Sequence, residues 1–226
     1  MLREFCAENF RNIPEAIRAG ADRVELCDRL DVGGTTPSEQ VQKEVLAFAH
    51  QHQAKVITMI RPRGGSFVYT DKEKAMMVES AARSVELGAD GIVFGALTPD
   101  GQIDWPFIDK LVECGGNKET VFHMAFDELA DTTQLAAVSE LIGHGINRLL
   151  TRGAKAGSAL KHYKWINQLV EEASGRLEIL AGGGLTYRNL AEAAELIHTD
   201  QFHGTQIVTF SSSFILARRS STSSVV

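Results

Sequence analysis

Residues 20–27, Gly-Ala-Asp-Arg-Val-Glu-Leu-Cys, contain the pattern that decides the fold. The glycine follows an amphipathic segment, and a short run of alternating polar and apolar residues begins three positions later. A glycine in this position is typical of a helix C-cap, because glycine adopts the left-handed conformation at little cost. The same device recurs in residues 88–93 and 145–150. The sequence therefore predicts a repeated junction in which a helix ends and a strand begins.

Short apolar runs alternate with longer amphipathic segments along most of the chain, which indicates strand–helix units that feed a parallel sheet. Helix starts are marked at Thr36–Glu39, Thr70–Glu73 and Asp131–Gln134, where a capping side chain precedes Glu or Gln by three residues. Eight units favour a closed TIM-type (β/α)8 barrel over an open doubly wound sheet, which usually has fewer strands. The predicted strands are 2–6, 23–27, 56–60, 91–94, 120–124, 148–151, 177–181 and 201–204.

The length of 226 residues suits one domain with a large core. We expect the barrel to span residues 1–210 and its last helix to be reduced or absent. Residues 211–226 are rich in serine and show little periodicity, so they are predicted to form a C-terminal tail.

The formal net charge of -6, without a cluster of Lys and Arg, argues against nucleic acid or an acidic membrane as partner. A small molecule or a metal ion is the favoured partner. The amino terminus lacks an extended apolar segment, and no run of about 18 apolar residues occurs, so we expect a cytoplasmic protein. The three cysteines are then expected to be reduced thiols.

Polar residues cluster where the predicted strands end, and in a barrel that end is the functional face. Strand side chains alternate between inside and outside, so residues two apart share a face. With these faces turned inward, Glu25 and Arg61 need each other or an external ligand, because an unpaired buried charge costs several kcal/mol. An ion-pair plug that only fills the barrel is the alternative. The predicted mouth contains Glu4, Cys6, Glu25, Cys27, Arg61 and His123, with Arg63 and Asp127 in the adjoining loops.

Cys6 and Cys27 lie at the ends of neighbouring predicted strands, which are about 4.8 Å apart in a sheet. One ion can therefore reach both sulfurs, and two thiolates select Cu(I) or Zn(II) over hard cations. The alternative is that both are small core residues, since free cysteine is often buried. Met59 and Met124 lie nearby, and we interpret them as packing residues.

Gly182, Gly183 and Gly184 follow the seventh strand, where barrels often hold a phosphate on backbone N–H groups and a helix N-terminus. A tight turn that needs positive φ explains the three glycines equally well. Arg61 and Arg63 are the other candidates for anion binding. His203-Gly204-Thr205, after the eighth strand, gives moderate support to a phosphate site.

Established catalytic signatures are missing: the sequence has no Gly-x-Ser-x-Gly elbow, His-Glu-x-x-His helix or phosphate-binding Walker loop. An acid/base role remains for His123 paired with Asp127 or Glu25, provided that a substrate binds between them.

Seven motifs follow one another along the chain: residues 4–6 (Glu-Phe-Cys), 20–27, 33–38 (Gly-Gly-Thr-Thr-Pro-Ser), 59–65 (Met-Ile-Arg-Pro-Arg-Gly-Gly), 88–95, 122–127 (Phe-His-x-Ala-Phe-Asp) and 182–184. In these motifs the chain resembles the CutC family of copper homeostasis proteins, over residues 1 to about 205. The resemblance implies a cytoplasmic TIM-type barrel, often dimeric, linked to copper tolerance. It also implies that Cys6 and Cys27 match the cysteines proposed to bind copper in that family.

Three positions depart from the pattern of that family. Met124 stands where the family usually has Arg, and Arg152 stands in place of Ser in a Thr-Ser-Gly motif. The segment after His203 also differs. The missing and the added arginine indicate either an altered ligand charge or compensation between neighbouring loops.

Three functions remain open at this point. The protein is a metal-handling protein that binds Cu(I) at two cysteines, an enzyme that acts on a small phosphate or carboxylate, or a dimeric binding module without catalysis. The family resemblance favours copper homeostasis with copper as the tentative cofactor, whereas the residues alone favour the enzyme.

Overall fold

The computed structural model describes residues 1–210, in which eight parallel strands close into a barrel in chain order. The first and last strands pair, with Leu2 opposite Gln201, and complete the ring. The predicted TIM-type barrel is confirmed. The strands are β1 (Leu2–Glu8), β2 (Arg23–Cys27), β3 (Lys55–Met59), β4 (Gly91–Phe94), β5 (Glu119–Phe122), β6 (Arg148–Thr151), β7 (Glu178–Ala181) and β8 (Gln201–Gly204).

Seven α-helices of the described part cover the outside of the barrel. The glycine junctions form as predicted, since Gly20, Gly88 and Gly145 all have positive φ, between 78 and 99°. The helices are α1 (Ile13–Arg18), α2 (Glu39–Gln51), α3 (Asp71–Glu86), α4 (Trp105–Gly115), α5 (Asp131–Gly143), α6 (Tyr163–Ala173) and α7 (Leu190–Leu196).

The predicted helix starts meet different outcomes. Thr70 and Glu73 form the expected capping box of α3. The cap of α2 is Ser38 rather than Thr36, because the Thr36 hydroxyl is engaged with the backbone of Arg61. The third prediction was wrong: Asp131 lies inside α5, whose N-cap is Ala130 and has no side chain that can cap.

Two strand ends differ from the prediction by two residues, and β3 ends one residue early, at Met59. β1 continues to Glu8, so Cys6 lies two residues before its end and faces Glu25 across the ladder. β5 stops at Phe122, because His123 caps a short 3-10 helix (Met124–Glu128) with its own ring nitrogen. The predicted serine-rich tail, residues 211–226, lies outside the described residues.

The apolar core has two layers. The larger layer packs between the sheet and the helices, and the smaller one fills the barrel around Ile57, Met59, Val93 and Val121. Within residues 1–210, no helix combines the length and the apolar character needed to cross a membrane.

The amino-terminal end of the barrel interior is closed by buried charged side chains. Arg23 donates to Glu4 and, at 3.1 Å, to the side-chain oxygen of Gln201, which also accepts from Arg148 at 2.8 Å. Arg148 further pairs with Glu119 at 2.7 Å. The barrel therefore contains an ion-pair plug, but not the one considered above for Glu25 and Arg61, and it lies at the end of the strands opposite to the functional face.

Candidate functional site

A cavity of about 330 Å³ opens at the carboxyl ends of the strands. Its wall comes from segments that are distant in sequence, which only closure of the ring brings together. The polar side chains of its lining are Cys6, Glu25, Arg61, His123, Arg152, Thr186, His203 and Thr205, together with the backbone of Gly183 and Gly184.

Two thiols meet one carboxyl group at the floor of this cavity. Cys6 Sγ lies 3.2 Å and Cys27 Sγ 3.6 Å from the same oxygen of Glu25, to which both donate. These three ligand atoms lie within 4.8 Å of one another. Cys27 is fully buried and Cys6 is 7% exposed, so Cys6 is the thiol that reaches the cavity.

The thiols have opposite pKa shifts. A hydrogen bond from Cys27, with further help from His203, holds the pKa of Cys6 well below its usual range. The same hydrogen bond and burial raise the pKa of Cys27. Burial and the negative charge of Cys6 raise the pKa of Glu25. The arrangement therefore favours one thiolate, on Cys6, beside a protonated Glu25.

His203 connects this cluster to the charged plug. Its Nδ1 lies 2.8 Å from a carboxylate oxygen of Glu4, and its Nε2 lies 3.7 Å from Glu25. Burial alone would lower the pKa of His203, but the negative charge of Glu25 and hydrogen bonds to Cys6 and Glu4 raise it well above its usual value. Burial would raise the pKa of Glu4, yet Arg23 and His203 lower it to about 2. His203 is thus a buried imidazolium between two carboxyl groups.

The predicted pairing of Glu25 with Arg61 does not occur. Arg61 donates from Nη1 to the backbone oxygens of residues 32, 33 and 34, at 3.1–3.2 Å, and from Nη2 to Gly65 at 2.8 Å. Its guanidinium also lies over the ring of Phe67, 4.8 Å from the centroid. The charge is therefore shared among loop carbonyls, and Arg61 orders the loops at the mouth.

His123 lines the same wall with one nitrogen free. Its Nδ1 accepts a hydrogen bond from Ala125 N–H at 3.1 Å, which leaves the proton of the neutral ring on Nε2. This Nε2 is buried and has no hydrogen-bond partner among residues 1–210. Burial and the nearby charge of Arg61 lower the pKa of His123 to about 3, so the ring is a neutral donor.

Besides Cys27 and Gly182, three predicted site residues lie away from the cavity lining. Arg63 Nε donates to a Glu73 carboxylate oxygen at 2.6 Å, and its terminal nitrogens donate to loop carbonyls. Asp127 is buried behind the wall, where it accepts from the hydroxyl of Thr151 and, at 3.1 Å, from Arg152 N–H. Asp127 is therefore hydrogen-bonded to Thr151 and Arg152 and not to His123. Glu4 is held in the plug by Arg23 and His203.

Of the three glycines after β7 that were predicted to form a phosphate site or a tight turn, two line the cavity. Gly183 and Gly184 line the cavity with φ of 86 and 73°, whereas Gly182 donates to Thr151 O at 2.9 Å at the end of the sheet. The following helix, α7, begins at Leu190, too far along the chain to place its N-terminus at Gly184.

Two residues of the site were underestimated from the sequence. The sequence motif at His203 gives only moderate support to a phosphate loop, although Gln201 and His203 are two apart and share the inner face of β8. Arg152 is marked in the sequence only as a departure from the family pattern. Its Nη2 contacts Met124 Sδ at 3.0 Å, so the added arginine lies beside the position where an arginine was expected and is missing.

The fold and the site define a class: a TIM-type barrel with a small polar cavity at the carboxyl ends of its strands. The CutC family model matches residues 1–208, and the chain belongs to the CutC family. A family protein CutC from Enterococcus faecalis is 44% identical over 209 residues, which are 92% of this chain and 100% of that protein.

Two further relatives carry informative names. The human copper homeostasis protein cutC homolog is 41% identical over 202 residues, which cover 89% of this chain and 72% of that protein. A crystal structure of CutC from Streptococcus agalactiae superposes with a TM-score of 0.89 at 42% identity, covering 92% of this chain and all of that one.

Proposed function

We propose that this protein serves copper homeostasis by binding Cu(I) at Cys6 and Cys27. The observation that carries the proposal is the cluster of two sulfurs and one Glu25 oxygen within 4.8 Å of one another. The names of the human and mouse relatives support the copper assignment. Thiolates are the ligands that Cu(I) prefers, and the cavity gives an ion a path to Cys6.

The donor set fits a soft ion. The two sulfurs would supply thiolate ligands once their protons have left, and thiolates suit the soft Cu(I) ion. Glu25 is protonated beside the Cys6 thiolate, so the proton still to be lost on binding is the one on Cys27. Cys27 is packed beneath Cys6 and holds the ion away from solvent.

A competition titration with a coloured Cu(I) chelator under anaerobic, reducing conditions tests this proposal. The wild-type protein should withdraw stoichiometric Cu(I), and the variant with Cys6→Ser and Cys27→Ser should withdraw none. Cys114→Ser is the matched control, since Cys114 is half-buried on α4, outside the cluster. An unchanged titration curve for the double variant would refute the assignment.

A second candidate is an enzyme that performs acid/base chemistry on a small anionic metabolite, a phosphate or a carboxylate. The specific observation in its favour is the contact of His203 with both Glu4 and Glu25 at the cavity floor. The pKa of Glu4 is lowered and that of Glu25 is raised, and two carboxyl groups whose pKa values are pushed apart are suited to different acid/base roles. Glu25 and His203 are the proposed proton carriers, while His123 donates a hydrogen bond.

Solvent deuterium exchange tests the second candidate. Small phosphates and carboxylates that raise the melting temperature are incubated with the protein in D2O and followed by proton NMR. We expect deuterium to enter a carbon position of at least one of them, and Glu25→Gln to abolish the exchange while binding persists. Stabilising compounds that all retain their protons would remove the enzyme proposal.

We also expect a cytoplasmic homodimer, as the family resemblance implies. Sedimentation velocity at micromolar concentration checks the oligomeric state, and a single species at the mass of one chain would contradict the dimer.

A further inference from the structure

The cavity wall contains an arginine that has few partners. Arg152 follows β6, and a third of its side chain is exposed. Its Nη2 meets only the sulfur of Met124, a weak acceptor, and its Nε lies 3.9 Å from Asp127, beyond hydrogen-bond distance. Among residues 1–210, no oxygen accepts a hydrogen bond from this guanidinium.

The other two arginines near the mouth are engaged differently. Arg61 gives both terminal nitrogens to four loop carbonyls, and Arg63 gives its donors to Glu73 and to loop carbonyls. Both therefore hold the protein together. Arg61 keeps one buried donor, Nε, without a partner among residues 1–210, whereas Arg152 has both terminal nitrogens free of oxygen acceptors there and available to a ligand.

Two backbone N–H groups lie next to Arg152. The carbonyls of Gly183 and Gly184 are fixed by Ala159 N and by the Asn189 side chain, each at 3.0 Å. Their N–H groups donate to no atom of residues 1–210. Successive N–H groups in such left-handed turns form concave sites for anions.

Arg152 and Gly183 approach one another closely. A Cβ on Gly183 would lie 2.8 Å from Arg152 Cβ and 3.5 Å from its Nε. Because residue 183 is glycine, the Arg152 side chain has room beside its backbone. A cation and two free N–H groups on one side of a cavity match an oxyanion that carries several acceptor oxygens.

The wall at the end of the neighbouring strand β5 adds an independent observation. His123 Nε2 is a buried N–H donor without a partner among the described residues, and His123 lines the same cavity. A buried donor without a partner destabilises the protein, and an acceptor atom of a bound molecule would satisfy it. The cavity thus presents donors at the ends of three consecutive strands, β5, β6 and β7.

We propose that Arg152 and the N–H groups of Gly183 and Gly184 form an oxyanion subsite that holds the phosphate of a small phosphate monoester. The inference rests on the second function proposed above and names its substrate class. The phosphate lies at the rim, over the ends of β6 and β7, and the remainder of the molecule extends toward His123 and Glu25. A volume of about 330 Å³ admits a compact metabolite.

Isothermal titration calorimetry with inorganic phosphate, glycerol 3-phosphate and glycerate tests the subsite. We expect saturable millimolar or tighter binding of the phosphate ester by the wild-type protein, and affinity at least about tenfold weaker for Arg152→Met. Gly183→Ala, whose Cβ would clash with Arg152 Cβ at 2.8 Å and strain a positive φ, should displace the two loops and weaken binding to a similar extent. Arg188→Met is the matched control: Arg188 is exposed outside the cavity, and its loss should leave affinity within about twofold.

Three results would overturn the proposal: no saturable binding of either phosphate to the wild-type protein, wild-type affinity in Arg152→Met, or tighter binding of glycerate than of glycerol 3-phosphate. Melting curves of each variant establish that it is folded. The calorimetry measures binding without turnover and without copper. Phosphate binding without deuterium exchange would therefore refute the enzyme proposal but not the oxyanion subsite. The copper titration tests the Cu(I) proposal independently of both.

Discussion

Asp127 is a buried carboxyl group that should impose its own pH dependence on stability. It is 2% exposed and accepts hydrogen bonds from the Thr151 hydroxyl and from Arg152 N–H. Burial outweighs these hydrogen bonds and raises the pKa of Asp127 from 3.8 to about 6. The folded protein therefore holds a proton that the unfolded chain has already lost at mildly acidic pH.

The magnitude follows from linkage between proton binding and folding. One pKa unit corresponds to about 1.4 kcal/mol. A rise of roughly two units therefore changes the free energy of unfolding by about 3 kcal/mol between the protonated and the ionised state of Asp127. Since the folded-state pKa is the higher one, the folded state binds more protons between about pH 4 and pH 6. The free energy of unfolding must fall by this amount as pH rises through that window.

Urea denaturation of the wild-type protein and of Asp127→Asn, at several values between about pH 4 and pH 7, isolates this contribution. Asparagine keeps the shape and one acceptor oxygen but does not ionise. The difference in unfolding free energy, wild type minus variant, should fall by about 3 kcal/mol from the acidic to the neutral end. A difference that is flat or that rises with pH would refute the reasoning.

Further predictions concern the plug, a strand glycine and the cavity histidine. Glu4→Gln leaves the Arg23 guanidinium buried without a counter-charge, so urea denaturation should show a loss of about 3–5 kcal/mol; a loss below about 1 kcal/mol would contradict the plug. Gly91→Ala places a Cβ 2.5 Å from a backbone oxygen of β5 and should cost about 1–3 kcal/mol, whereas Gly143→Ala, with open space around its Cβ, should cost nothing measurable; equal losses would count against this packing. The ring signals of His123 in NMR should not shift between about pH 8 and pH 5, because its pKa is about 3; a midpoint near 6.5 would be inconsistent with its burial.

The barrel could be predicted because its signals are local. Gly20, Gly88 and Gly145 end helices by a backbone conformation that the residue type reveals, and Thr70 with Glu73 marks a helix start within four residues. Strand alternation then placed Glu25 and Arg61 at one end of the barrel before any contact was known.

The partners within the site were not predictable in the same way. Arg61 is satisfied by loop carbonyls, which every residue possesses and no side-chain pattern marks. His203 reaches Glu4 only because β8 closes against β1, 199 residues away in the chain. Arg152 stood out only as an unexpected residue type, and its place beside Met124 depends on two loops meeting in space.

The polar interior has a consequence for synthesis on the ribosome. Gln201 accepts hydrogen bonds from Arg23 and Arg148, and His203 pairs with Glu4, so buried partners of β1 and β2 lie on the eighth strand. Contacts of such long sequence separation form late in folding. Until β8 has left the ribosome, the ring stays open. Closure of the ring therefore requires β8, and a nascent chain halted before Gln201 should be a substrate for chaperones.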